Sequence, residues 1–203
     1  MQSIDPERQQ ILEATWIVLA RSGFEGFKVQ LVLREAGVSA RTFYRHFANK
    51  DALFLAVVRE EMSRAAPRIR AAVARAEGPI DRIEAWIRSV IGAAGDPKRA
   101  ARTRLFVSLQ TINRRFPAEV AAGTESLYEP LREAIAAGKL AGLFPWADPA
   151  RDAVLIHVLV SGLLSDAALA DAPTRPLETV IEDATNFALR ALGVPPDVRA
   201  GPL

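Results

Sequence analysis

The spacing of the apolar residues decides most of what this chain can become. They recur at three- and four-residue intervals in nearly every segment, and no stretch joins strict alternation to β-branched enrichment. That pattern belongs to helices laid on a shared core, so the expected class is all-α, with about nine helices. The breaks are as plain as the helices. Asp5-Pro6, Asp96-Pro97 and Asp148-Pro149 each put a capping carboxylate before a proline suited to the first helical position, and Gly78-Pro79 marks a further break. Pro117 opens another helix, Ser39 and Asn49 are placed to cap two more, and Gly23, Gly37, Gly138 and Gly193 stand where helices stop. Pro67 falls inside a helical run and is expected to kink or break it.

Composition supplies exclusions. The chain has 203 residues, half of them hydrophobic and a quarter charged, enough for one large or two small domains with a proper core. It has no cysteine, hence no disulfide framework, thiolate metal site or cysteine nucleophile, and a reducing cytoplasm is the expected location. Two scattered histidines, with no carboxylate cluster at ligand spacing, lead us to expect neither metal nor cofactor. No catalytic pair, nucleotide loop or nucleophile motif argues for an enzyme. The amino terminus is too polar for a secretory signal, and no apolar stretch is read as approaching the roughly 18 residues that span a bilayer, so a soluble chain without a membrane partner is expected.

The net charge is only +2, but its distribution is uneven. Residues 28 to 50 hold Lys28, Arg34, Arg41, Arg45 and Lys50 against one acid, Glu35. Here a short helix carrying Val29, Val32, Leu33 and Ala36 inward, a turn at Gly37-Val38-Ser39 and a third helix make a helix-turn-helix. With Phe43 and Phe47 turned to the core, Arg41, Tyr44 and Arg45 share the opposite face, flanked by Thr42 and His46. Arg41 is placed to read a guanine edge, Arg45 to do the same or hold a phosphate, and Tyr44 and His46 to donate to phosphates. Lys50 opposes the dipole of the helix it begins, which suggests a DNA phosphate docked at that helix end, and Lys28 has a similar place before the second helix. Periodicity alone leaves a second reading open, because paired amphipathic helices with solvated arginines are common in all-α proteins.

The stretch Ile11 to Met62 resembles the amino-terminal region of TetR family regulators. The resemblance is carried by Ile11-Leu12-Glu13-Ala14, Arg21-Ser22-Gly23-Phe24, Arg34-Glu35-Ala36-Gly37-Val38-Ser39, Thr42-Phe43-Tyr44-Arg45-His46-Phe47 and Asn49-Lys50-Asp51-Ala52-Leu53-Phe54. It implies that Ser39, Arg41, Thr42, Tyr44, Arg45, His46 and Lys50 face DNA. The chain departs from the family at Phe27-Lys28, where a capping hydroxyl is usual, at Leu31-Val32-Leu33, where Asp-Ile-Ala is common, and at Arg41, where a small residue is frequent.

The division expected is a DNA-binding domain over residues 1–49 and a helical ligand-binding and dimerisation domain over 50–203. Residues 153–164 are hydrophobic around the whole helical circumference, so a second subunit is expected to cover part of them. With the last helix they give a dimer interface of Ile156, His157, Val160, Gly162, Leu163, Ala184, Phe187 and Ala188. Trp86, Phe106, Gln110, Asn113, Tyr128 and Trp146 mix aromatic area with sparse polar groups, as ligand pockets do. The function that follows is a homodimeric transcriptional regulator, a repressor that binds a palindromic double-stranded DNA operator and is released by a small, hydrophobic ligand. The alternatives are a non-regulatory architectural DNA-binding protein and a helical enzyme.

Overall fold

A computed structural model of the chain describes residues 5–23, 26–96, 99–108, 117–170 and 175–195. Among them run nine α-helices: α1 (Pro6–Ser22), α2 (Val29–Ala36), α3 (Ala40–His46), α4 (Lys50–Ala74), α5 (Pro79–Ile91), α6 (Ala100–Ser108), α7 (Pro117–Leu140), α8 (Pro149–Leu169) and α9 (Leu177–Ala191). A single 3-10 turn, Gly92–Ala94, follows α5. The helix starts are set by side-chain chemistry. Asp5 accepts from the backbone N–H groups of Glu7 and Arg8, Asn49 from Ala52, and Asp148 from Ala150 and Arg151. Each satisfies donors that a first helical turn leaves without partners.

The buried residues form two clusters, and α4 runs through both. Its first half contributes Leu53, Phe54, Val57 and Met62 to a core shared with α1, α2 and α3, centred on Ile11, Leu12 and Phe43. Its second half contributes Ile69 and Val73 to a core built from α5, α7, α8 and α9 around Trp86, Ile87, Leu131 and Ile156. The head is therefore fastened to the body by one continuous rod.

One expectation is narrowed and one is overturned. Pro67 does not break α4, which is helical from Lys50 to Ala74. Met62 and Ile69 anchor the helix in different cores on either side of it, and that packing carries the rod across the hydrogen bond the ring removes. The reading that no segment approaches a membrane span also fails, since the 21 residues of α8 are long and apolar enough by length and composition. Their circumference is divided among several neighbours. Ala153, Ile156 and Val160 enter the body core, His157, Val158 and Ser161 line a cavity, and Leu155 points outward with 60% exposure.

Candidate nucleic-acid interface and ligand cavity

The turn between α2 and α3 is made by Gly37, whose φ of 63° lies in the left-handed region that favours glycine. The N–H of Val38 donates to the Leu33 carbonyl, closing a Schellman end on α2. Ser39 then caps α3 by accepting from the Thr42 N–H at 3.0 Å, and the Ser39 and Thr42 hydroxyls are hydrogen-bonded at 3.1 Å. Phe43 and Phe47 are buried with ring centroids 5.7 Å apart, which fixes the rotation of α3. Arg41 and Tyr44 consequently stand in solvent. Tyr44 is 62% exposed, and its ring meets Phe43 edge-on. Neither Arg41 nor the Tyr44 hydroxyl has a hydrogen bond or ion pair among the described residues.

The other expected contacts have different surroundings. Arg45 is exposed but ion-paired with Glu7 of α1. The His46 side chain is only 9% exposed, with Nδ1 3.5 Å from Asp5 and Nε2 3.4 Å from Glu7. This ring does not stand on the outward face as expected; it fastens α3 to the start of α1. Asp5, Glu7 and His46 bring their ligand-type atoms within 4.8 Å of one another, a cluster that linear spacing did not suggest. These atoms are engaged by Arg45 and by the capping hydrogen bonds of α1. Lys28 is exposed at the start of α2 and makes no side-chain cap, as a lysine must. Lys50 has protein partners, where an anion had been the expected compensation. Its ammonium donates to the Phe27 carbonyl at 3.2 Å and lies 5.0 and 5.3 Å from the Phe27 and Phe54 ring centres.

A cavity of about 1270 Å³ opens in the body between α4, α5, α6, α7 and α8. Small side chains make the room: Ala65, Ala72, Ser89 and Ala93 line it on α4, on α5 and in the turn that follows. Of the expected pocket residues, Phe106 lines it. Trp86 is fully buried in the core, its Nε1–H donating to the Leu127 carbonyl at 2.8 Å, and Tyr128 packs beside His157. Trp146 is 87% exposed between α7 and α8, because Phe144 takes the buried position of that loop. Gln110 and Asn113 lie outside the described residues. His157, expected at a dimer interface, lines the cavity. Burial holds its imidazole down to about 4. Ile156, Val160, Ala184 and Ala188 are buried within the subunit, whereas Gly162 and Phe187 are exposed and Leu163 is half-buried.

Nothing in the linear spacing points to Arg102 of α6, yet it joins cavity to head. Its Nε donates to Glu61 of the cavity wall at 2.9 Å, and its guanidinium lies 4.5 Å over the Trp16 ring and 3.6 Å from Glu13, both on α1. Arg64 of α4 adds a 2.8 Å bond to Glu13. Burial pushes the Glu13 carboxyl up, but the hydrogen bond from Arg64 and the charges of Arg102 and Arg64 outweigh it and hold it below the usual range.

A helix-turn-helix head on which Arg41 and the Tyr44 hydroxyl have no polar partner among the described residues, carried on a helical body with a large cavity, is the arrangement of a DNA-binding regulator. Residues 11–57 match the family described as "Bacterial regulatory proteins, tetR family". Curated relatives include the HTH-type transcriptional regulator UidR of Escherichia coli (strain K12), 25% identical over 82% of this chain and 84% of its own length. The HTH-type transcriptional repressor AcnR of Corynebacterium efficiens is 39% identical over 29% of this chain and 31% of its own. Among solved structures, the fatty acid degradation regulator FadR from Bacillus halodurans superposes with a TM-score of 0.75 at 20% identity, covering 93% of this chain and 97% of that one. FadR from Bacillus subtilis, in complex with stearoyl-CoA, gives 0.74 at 18% identity over 89% and 97%. Residues 11–57 thus match the DNA-binding region of TetR family regulators, and the chain as a whole shares its fold with the FadR structures.

Proposed function

We propose that this regulator is a cytoplasmic homodimeric repressor that holds a palindromic operator through the outer face of α3 and lets go when a small molecule fills the body cavity. The reading rests above all on Arg41 and Tyr44, which project from a helix fixed by two buried phenylalanines and whose polar groups have no hydrogen bond or ion pair among the described residues. In a dimer the two α3 helices would enter successive major grooves about 34 Å apart. Arg41 then reads a base edge, Tyr44 meets a phosphate or a thymine methyl, and Lys28, Ser39 and Thr42 bound the contact at the backbone. Arg45 joins them by exchanging Glu7 for a phosphate, and Lys50 steadies the helix end beneath.

The dimer face we assign is the groove between α8 and α9 lined by Leu159, Leu163, Asn186 and Phe187, together with the exposed Leu155; Gly162 instead lines the body cavity. Ligand entering the cavity meets Glu61, and the Glu61–Arg102–Trp16 chain of contacts gives it purchase on α1. A coupling of about 1–3 kcal/mol, roughly 5- to 150-fold in operator affinity, is enough for a switch of this kind.

Selection of bound sequences from a random duplex pool, followed by footprinting, tests the assignment. The parent protein should protect a two-fold symmetric site. Arg41→Ala and Tyr44→Ala should abolish that protection while leaving the helical circular-dichroism signal and the oligomeric state unchanged. A normal footprint from both variants would show that α3 reads DNA by some other face.

A further inference from the structure

The wall of the cavity is electrically uneven. Glu61 is held by Arg102 at 2.9 Å, and Asp96 by Arg99 at 2.6 Å, so these charges are matched locally. Arg68 and Arg75 also line the cavity, and neither guanidinium has a hydrogen bond or an ion pair among the described residues. Arg68 lies on α4 and Arg75 caps its end seven positions later in helical conformation, hence on one face and about 10 Å further along. Both are exposed, which places them at the mouth.

The cavity is also long. Its α4 wall runs from Val58 to Arg75, about 25 Å at 1.5 Å per residue. The end nearer the DNA-binding head is apolar, walled by Val58, Met62, Phe106, Val107 and Val120. His157, beside Trp86 and Tyr128, also lines the cavity, and burial keeps it uncharged at neutral pH. Along the described wall, uncompensated positive charge meets solvent at Arg68 and Arg75, and a mostly apolar stretch leads from there toward Met62 and Phe106.

We propose that the cavity takes an elongated amphipathic anion, with its carboxylate or phosphate head on Arg68 and Arg75 at the mouth and its hydrocarbon chain along α4 toward Met62 and Phe106. This rests on the reading of the cavity as the regulator's ligand site. A guanidinium fork suits either oxyanion. A cation is repelled at the mouth, and a compact polyanion leaves the apolar end unfilled. The geometry further ties response to length. A chain reaching Met62 lies one residue from Glu61, the cavity-side partner of Arg102, whereas a short one stops before it.

Calorimetric titration of the full chain with tetradecanoate, tetradecyl phosphate and tetradecanol tests the proposal, and the order of the two anions separates carboxylate from phosphate. At low salt and pH 7.5 at least one anion should bind about tenfold or more tighter than the alcohol. In the Arg68→Ala/Arg75→Ala double variant the preference should collapse to within about twofold, with alcohol affinity unchanged, and paired Arg→Lys substitutions should restore part of it. Equal binding of anion and alcohol by the parent, or a preference that survives the double variant, overturns the proposal while leaving the cavity a ligand site. If none of the three compounds binds or raises the melting temperature, the anion proposal falls and the ligand-site reading loses its support. Should the double variant lose alcohol binding, Arg68→Gln and Arg75→Gln decide singly: each must lower the preference, and an unchanged preference in both overturns it.

Discussion

The imidazole of His157 is a polar ring set in aromatic surroundings. Its centre lies 6.0 Å from that of Trp86 and 5.4 Å from that of Tyr128, and Nδ1 is buried without a hydrogen-bond partner among the described residues. Burial depresses its pKa from 6.5 to about 4, so between those values the unfolded chain takes up a proton that the folded chain refuses. Stability is therefore full above pH 6.5 and falls as the pH drops toward 4, by at most about 1.4 kcal/mol per pH unit. Melting temperatures measured from pH 7 to 4.5 should fall more steeply for the parent than for His157→Gln, and parallel curves would contradict the assigned environment. A second residue-scale prediction concerns Gly138, where an added Cβ would lie 2.0 Å from Cε2 of the buried Phe144. Gly138→Ala should lower stability by about 1–3 kcal/mol, read by urea denaturation, and Phe144→Leu should relieve part of the loss. At this scale Arg41 and Tyr44 were legible because spacing from Phe43 and Phe47 fixes their side of a short helix. His46 was not, because its partner Glu7 is 39 residues away in sequence and only the packing of α1 on α3 brings them together.

Among the elements, the helices announced their ends through local chemistry, and Asp5, Ser39, Asn49 and Asp148 cap where capping residues stand in the sequence. The uses made of α8 were harder to read. An apolar circumference says that every side needs cover, but not which side faces a core, a cavity or a partner. Four of the residues expected at the dimer interface, Ile156, Val160, Ala184 and Ala188, are consumed by the subunit's own core. The cavity had a faint linear signal in the alanines and serines on inward positions of α4 and α5, where a packed interior carries larger side chains. The link between α6 and α1 had none. Replacing Arg102 by Gln strands Glu61, whose side chain is 13% exposed, and takes the guanidinium from Trp16. Arg102→Gln should cost about 1–3 kcal/mol, whereas Arg132→Gln, on the exposed side of α7 with surface partners only, should cost under about 1 kcal/mol. Chemical denaturation of the two variants side by side checks the contrast.

For the whole molecule, the dimer proposed above would rest on the outward apolar residues of α8 and α9. Leu155 is 60% and Phe187 53% exposed, a degree of exposure that a second subunit would relieve. The Leu155→Glu/Phe187→Glu double variant should sediment as a monomer with unchanged helical content, and it should bind single half-sites weakly; a persistent dimer would move the interface elsewhere. The all-helical architecture was legible from periodicity and punctuation together, yet the junction of head and body was not, because it lies inside a helix and not between two. Counted end to end, the 25 residues of α4 measure about 37 Å. A tilt of only about 5° imposed at the cavity would displace the far tip by about 3 Å, close to the rise of one base pair, so a small movement in the body is enough to carry α3 out of step with the groove.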